Sequence, residues 1–318
     1  MVDLYAGQKN LKGLPKERIP NFVTAFKEGM AYMIPVAILI VLMFMKYSAM
    51  FACAYALLAL WIIALFKRML PWRGIVEALK AGGERMVVIT IPCAAAGIVL
   101  GVLTLSGASM KLSDLIAYLA GDSLLLTLIW IMIISIVLGM GLPPVVSYII
   151  LAALQVPILV DMGVNPIAAH LFIFYFCALS LITPPICTTT FTAAAIAKSP
   201  PMKTGLEAVR FGLVLYTLPY LFVYNPGLLM KGSFLQIIYV TVIAAIGVFA
   251  LAVGAQGYLG NRLNSLQRIA FLGSSVALFW PHHLVTAIGF VVFAGMTFYM
   301  KKGCISELLR LKTGQTIS

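Results

Sequence analysis

Hydrophobic positions along this chain come in blocks rather than in one-sided stripes. The runs at 29–45, 49–66 and 86–105 are apolar on every face of a helix, the pattern of a segment surrounded by hydrocarbon. Each is close to the ~20 residues that cross ~30 Å of lipid. Only Lys46-Tyr47-Ser48 separates the first two, so they are expected to form a helical hairpin. The third carries Pro92 and a small-residue patch, Ala94-Ala95-Ala96-Gly97, suited to close helix packing. Polar stretches frame these runs. Residues 1–28 form a lead with Lys9, Lys12, Lys16, Arg18 and Lys27, in which Gly13, Pro15 and Pro20 oppose one long helix. The lead has no apolar h-region, so no cleavable signal peptide is expected; its expected role is anchoring at the membrane surface. The loop at 67–85 carries Lys67, Arg68, Arg73, Lys80 and Arg85 against Glu77 and Glu84. A weakly charged loop at 106–122 holds Lys111, Asp114 and Asp122.

The pattern changes between Ser123 and Ala197, a stretch whose one formal charge is Asp161. Apolar runs at 123–138 and 145–160 are short for a full crossing and meet at Gly139-Met140-Gly141-Leu142-Pro143-Pro144. Two glycines and two prolines so close together favour a re-entrant hairpin, entering and leaving by one side, over a single kinked helix. A second proline pair, in Thr183-Pro184-Pro185, divides 167–197 into two half-helices of one crossing. Broken backbone exposed to lipid costs several kcal/mol per unpaired group. Such breaks therefore belong inside protein, and two interrupted segments close together point to a transport site.

Further spans follow at 211–224 and 234–255, and the run at 269–300 is divided by Trp280-Pro281-His282-His283 into two short helices. The fold class is an all-α polytopic membrane protein with one re-entrant helical hairpin and one broken helix. Four regions are expected: a polar cytoplasmic lead (1–28), three scaffold-like spans (29–122), a transport-type region (123–227), and an accessory membrane region with a basic tail (228–318).

Composition agrees. The chain is 62% hydrophobic and 10% charged, with mean hydropathy +1.05, where a soluble domain carries about 25% charged residues. The net charge of +12 would suggest a nucleic-acid partner in a soluble protein. Here the basic residues sit in the short loops, as membrane topology demands, and no nucleic-acid partner is expected. Placing 67–85 in the cytoplasm puts Lys198, Lys203, Arg210, Arg262, Arg268 and the tail basics Lys301, Lys302, Arg310 and Lys312 on the same side. A hairpin that crossed fully would keep this parity. The five cysteines (Cys53, Cys93, Cys177, Cys187, Cys304) show no paired spacing, so no disulfide framework or zinc site follows.

At membrane depth, broken helices offer unpaired N–H groups to an anion and unwound carbonyls to a cation such as Na⁺. Gly139, Gly141, Pro143, Pro144 and Ser147 supply the first break, and Ser180, Thr183, Pro184, Pro185, Thr188, Thr189 and Thr190 the second. Gly139, Gly141, Ser180 and Thr183 are the Na⁺ candidates. Against this stands a purely structural role for the hydroxyls, bonding within or between helices. Asp161 reads as an interfacial charge and His170 as a packed or interfacial histidine. The His282-His283 pair at a turn is a weak metal candidate. No nucleophile–base pattern or nucleotide-binding loop is present, so no enzyme and no organic cofactor is expected.

The segments Leu138-Gly-Met-Gly-Leu-Pro-Pro144, Ala168-Ala-His-Leu-Phe-Ile-Phe-Tyr-Phe176 and Ile182-Thr-Pro-Pro185 together resemble the large membrane subunit of TRAP transporters. Thr204-Gly-Leu-Glu-Ala-Val-Arg210 and Phe222-Val-Tyr-Asn-Pro226 resemble the fused permeases that work with a TAXI-type periplasmic binding protein. The resemblance implies an ion-coupled, usually Na⁺-driven, importer of an organic anion in the bacterial inner membrane. It implies an elevator-type inverted repeat with two hairpins and two broken helices, with helices like those of the small subunit beside it. By this resemblance 139–144 form the tip of the second hairpin and 180–185 the unwound part of the second broken helix. Only one hairpin and one broken helix are visible, so an N-terminal permease half is expected on another chain or a longer product. Two rivals remain: a channel-like pore subunit, since re-entrant loops also build filters, and a non-transporting membrane scaffold.

Overall fold

The structure, a computed structural model, describes residues 1–11, 19, 21–66 and 72–312. Lys12, Lys16 and Arg18 of the lead, with Gly13, Pro15 and Pro20, and Lys67 and Arg68 of the first basic loop lie outside the described residues, as do 313–318. Among the described residues, six helices are long and apolar enough to cross a membrane. The chain is a multi-pass membrane protein.

It divides into two compact units, residues 12–90 and residues 1–11 with 91–318. In the first, α2 (Phe22–Phe44) and α3 (Ala49–Phe66) pack as the expected hairpin. Asn21 caps α2 by accepting from the Val23 N–H at 3.0 Å, and the turn places Lys46 at φ 65°. Most side chains on α3 are exposed, Ala52 and Ala56 being the buried ones, as befits a lipid-facing helix. The basic loop is shorter than expected. Helix α4 runs from Trp72 to Leu105, so residues 72–85 are helical and Lys80 pairs with Glu84 at 4.0 Å one turn on. The physical reason is that alanine, leucine, glutamate and lysine favour helix whether or not the segment is apolar.

In the second unit, residues 108–120 are not a loop but a helix, α5 (Ala108–Ala120), packed on α6 (Leu124–Gly139) and α7 (Pro144–Asp161). Ile116 and Ala120 are buried, with Leu112 beside them. Their four-residue spacing is a short amphipathic stripe, overlooked among the surrounding charges. Helices α6 and α7 both lie on α8 (Pro166–Leu179). After an interruption comes α9 (Thr188–Ala197), then α10 (Pro201–Tyr224), which packs on both α8 and α9. The core here is Leu128, Ile131, Leu151, Leu159, Phe172 and Phe176, with Tyr220 edge-on to Phe172 at 5.1 Å.

A 3-10 turn at Pro226–Leu229 leads into α11 (Phe234–Gln256), a two-residue strand pair β1 (Tyr258–Leu259) and β2 (Asn261–Arg262), α12 (Ser265–Phe279) and α13 (His283–Lys312). Asn264 and Gln267 form a reciprocal capping box at the start of α12. The run at 269–300 divides at Trp280–His282 as expected, but only α12 is short: α13, 30 residues long, continues through the basic residues after Met300, and 283–300 is itself long enough to cross a membrane. The first residues form α1 (Val2–Gln8), whose Tyr5 ring stands edge-on to Phe211 at 5.1 Å and whose Gln8 amide donates to the Gln256 carbonyl at 3.1 Å.

Candidate functional site

The proline pairs end helices where expected. Helix α6 stops at Gly139 and α7 starts at Pro144; α8 stops at Leu179 and α9 starts at Thr188. Proline has no N–H and disfavours helix in the residue before it. The first break reverses the chain. Ser135 Oγ donates to Gln155 Oε1 at 2.8 Å, although twenty residues of continuous helix would span about 30 Å. The two helices are therefore a hairpin, not one kinked rod, and Gly141 at φ +79° takes the left-handed turn at its tip.

That tip lies against the second break. A Cβ on Gly139 would stand 2.9 Å from Ser180 Oγ and 3.6 Å from Cys177 Cα; one on Gly141 would stand 3.9 Å from Ile186 Cγ2. Below the tip, Ser147 of α7 and Cys177 of α8 are both buried. At the break Thr183 Oγ1 lies 2.6 Å from the Leu179 carbonyl and 2.6 Å from Tyr216 Oη. A carbonyl can only accept, so Thr183 donates to Leu179 and Tyr216 donates to Thr183.

The other buried hydroxyls behave alike. Ser180 Oγ donates to the Cys177 carbonyl at 2.7 Å, Thr190 Oγ1 to the Cys187 carbonyl at 2.9 Å, and Ser147 Oγ to the Pro144 carbonyl at 3.1 Å. With its one proton engaged, each oxygen presents only lone pairs to anything else, which is what a bare cation requires. Among the described residues, no main-chain N–H bonds the Pro185 carbonyl. The helices that start at the breaks, α7 and α9, begin without a side-chain cap, as do α1 and α10, whereas Ser123, Asn165, Ser233 and Asn264 cap α6, α8, α11 and α12. Uncapped N-termini leave N–H groups for an anion.

The chain matches, over residues 1–237, the family described as the tripartite ATP-independent periplasmic transporter, DctM component. It belongs to this family. An uncharacterised protein, y4mL, of Sinorhizobium fredii is 30% identical over 213 residues, 65% of this chain and 46% of that one. The 2,3-diketo-L-gulonate TRAP transporter large permease protein YiaN of Escherichia coli is 28% identical over 179 residues, 55% of this chain and 41% of that one. The DctM-family chain thus spans less than half the length of these relatives. No solved structure matches it significantly.

Of the sequence-selected residues, this DctM-family fold brings together Gly139 with Ser180, and Pro184 and Thr190 with one another around Gly205. Thr183 joins them through Tyr216. Thr188 and Thr189 are exposed, and the Thr189 N–H bonds the Leu181 carbonyl at 3.3 Å across the break. Pro143 and Pro144 are half-buried at the tip. Sequence reasoning missed α10 as the clasp of the break. A Cβ on Gly205 would stand 2.8 Å from Cys187 Sγ and 3.3 Å from Pro184 Cγ, and one on Gly212 3.1 Å from Ile182 Cδ1. Gly205 and Gly212 are two turns apart with Tyr216 one turn further, a one-face spacing that was readable. Asp161 is exposed, and His170 accepts or donates at 2.9 Å with Tyr148 Oη. A cleft of about 240 Å³ at the ends of α10, α11 and α12 takes in none of the tip or break residues.

Proposed function

We propose that this chain supplies one hairpin tip and one broken helix to the ion and organic-anion site of a TRAP-type permease in the bacterial inner membrane. The contact of Gly139 with Ser180 carries the reading, because it sets the Ser180 hydroxyl at the end of the broken helix beside the turn of the hairpin. In this reading the tip is re-entrant. Na⁺ is held by oxygens from Gly139, Gly141, Ser180 and Thr183, with Ser147, Thr188, Thr189 and Thr190 available near by. The uncapped N-termini of α7 at Pro143-Pro144 and of α9 after Pro184-Pro185 face the substrate carboxylate. The substrate class is an organic acid, in keeping with the keto acid named for the Escherichia coli relative. A TAXI-type periplasmic protein delivers it, and the segments Thr204–Arg210 and Phe222–Pro226 support that pairing. Residues 123–227 are the moving region, 29–122 the scaffold and 228–318 the accessory region, where helices like those of a small subunit sit. A complete site takes a second hairpin and broken helix from outside these 318 residues.

The test is reconstitution into liposomes with the binding protein and a complementary permease half. Uptake of a labelled organic acid is expected only with an inward Na⁺ gradient, and ²²Na⁺ binding is expected to be lost in Thr183→Val. Gradient-independent conductance would replace this reading with a pore. Robust uptake by the chain and binding protein alone would remove the need for a second half.

A further inference from the structure

A polar cleft of about 370 Å³ lies well away from the hairpin tip, where α1, the start of α10, the strand pair and the start of α12 converge. Four basic residues line it: Lys9, Arg210, Arg262 and Arg268. Glu207 is the lone carboxylate in its lining and lies 3.7 Å from Arg210. Two of the cations are held in place. Arg268 donates from Nε to the Gly254 carbonyl at 3.1 Å and from Nη2 to the Ala255 carbonyl at 3.2 Å, closing the end of α11. Lys9 Nζ stands 5.9 Å from the Tyr5 ring centroid. The lining also includes Gln256, 1% exposed, whose side-chain oxygen has no partner among the described residues. Such an orphaned acceptor invites a ligand that brings a donor.

The position of the cleft sets its ligand. Three of the cations sit beside apolar runs: Arg210 just before 211–224, Arg268 just before 269–300, and Arg262 between 234–255 and 269–300; Lys9 follows α1, which packs on α11 and β1. Basic residues beside apolar runs are expected at the level of headgroup phosphates. Exposed apolar side chains neighbour the cleft residues in sequence: Leu206 beside Glu207, and Leu266 and Ile269 around Arg268. A soluble phosphate would use the cations alone. A lipid uses the cations for its phosphate and the leucine and isoleucine surface for its chains.

We propose that this cleft binds the headgroup of an anionic glycerophospholipid, with the phosphate on Arg210, Arg262 and Lys9 and a headgroup hydroxyl donating to Gln256. The bound lipid ties α1 to the accessory helices α11 and α12. The site is independent of the transport reading above.

Native mass spectrometry of the full chain tests this, with phosphatidylglycerol, phosphatidylcholine and inorganic phosphate as separate probes. Retention of phosphatidylglycerol over phosphatidylcholine is expected. Juxtamembrane cations contribute about fivefold each, so Arg210→Gln/Arg262→Gln is expected to weaken retention roughly 25-fold. Glu207→Gln removes the one opposing charge and is expected to strengthen it, an outcome no loss of fold could mimic. Lys111→Gln, outside the cleft, is the control and is expected to change nothing. Equal retention of both lipids, or unchanged retention in the double variant or in Glu207→Gln, would overturn the proposal. Displacement of the lipid by millimolar inorganic phosphate would overturn it in favour of a soluble anion.

Discussion

Gly139 at the end of α6 and Ser180 at the end of α8 pack so closely that a methyl group on Gly139 would meet the Ser180 hydroxyl oxygen at 2.9 Å and its Cβ at 3.1 Å. The hairpin tip and the broken helix therefore meet at a point where only hydrogen fits. Gly139→Ala is expected to lower stability by about 1–3 kcal/mol through overpacking and to push the tip off the break. Gly139→Ala/Ser180→Gly removes the opposing atoms and is expected to recover most of that loss. Thermal unfolding in detergent of the single and double variants measures it; equal loss in both would separate the two residues.

The hydroxyl relay from Tyr216 to Thr183 to the Leu179 carbonyl orients the break. Tyr216→Phe removes a donor while leaving the ring, so a loss of about 1 kcal/mol is expected, with ²²Na⁺ binding weakened but present. Thr183→Ser keeps the oxygen and is expected to bind. Thr183→Val is expected not to bind. A scintillation proximity assay on the three variants distinguishes an oxygen ligand from a packing role, since valine preserves the shape of threonine.

Within the hairpin, Gln155 is fully buried, accepts from Ser135, and leaves its side-chain nitrogen without a partner among the described residues. Ser135→Ala is expected to cost about 1–3 kcal/mol, because the Gln155 oxygen is then unsatisfied as well. Ser135→Ala/Gln155→Leu replaces both polar groups with apolar ones and is expected to restore stability, measured by thermal unfolding.

Glycines separate by context. Gly205→Ala would set a Cβ 2.8 Å from Cys187 Sγ, whereas a Cβ on Gly97 of α4 meets nothing within 4 Å. Gly205→Ala is expected to lose stability, and transport with it in the reconstituted system. Gly97→Ala is expected to be neutral or to gain up to about 1 kcal/mol from helix propensity. The same contrast corrects the packing expected of Ala94–Gly97, where Ala96 alone is buried.

The positions of the spans and of the two breaks were legible in the amino-acid order alone. Lipid forces a backbone to satisfy its own hydrogen bonds, so an apolar block means helix, and a proline pair that withholds N–H groups means a stop. This is why α3, α6, α7, α8 and α11 lie within a residue or two of where the pattern places them. Helices that leave the apolar block were harder to read. α4 and α10 continue through charged residues, and α5 hides its stripe of Leu112, Ile116 and Ala120 among polar neighbours, because helix propensity does not require hydrocarbon. Only the tertiary structure decided which side chains meet. The fold-back fixed by Ser135 and Gln155, the seat of Gly139 on Ser180, the clasp of Gly205 and Tyr216 around the break, and the exposure of Thr188 and Thr189 all depend on how helices remote in sequence pack. Close approach between helices is set by small residues and buried hydroxyls whose partners are not their neighbours along the chain.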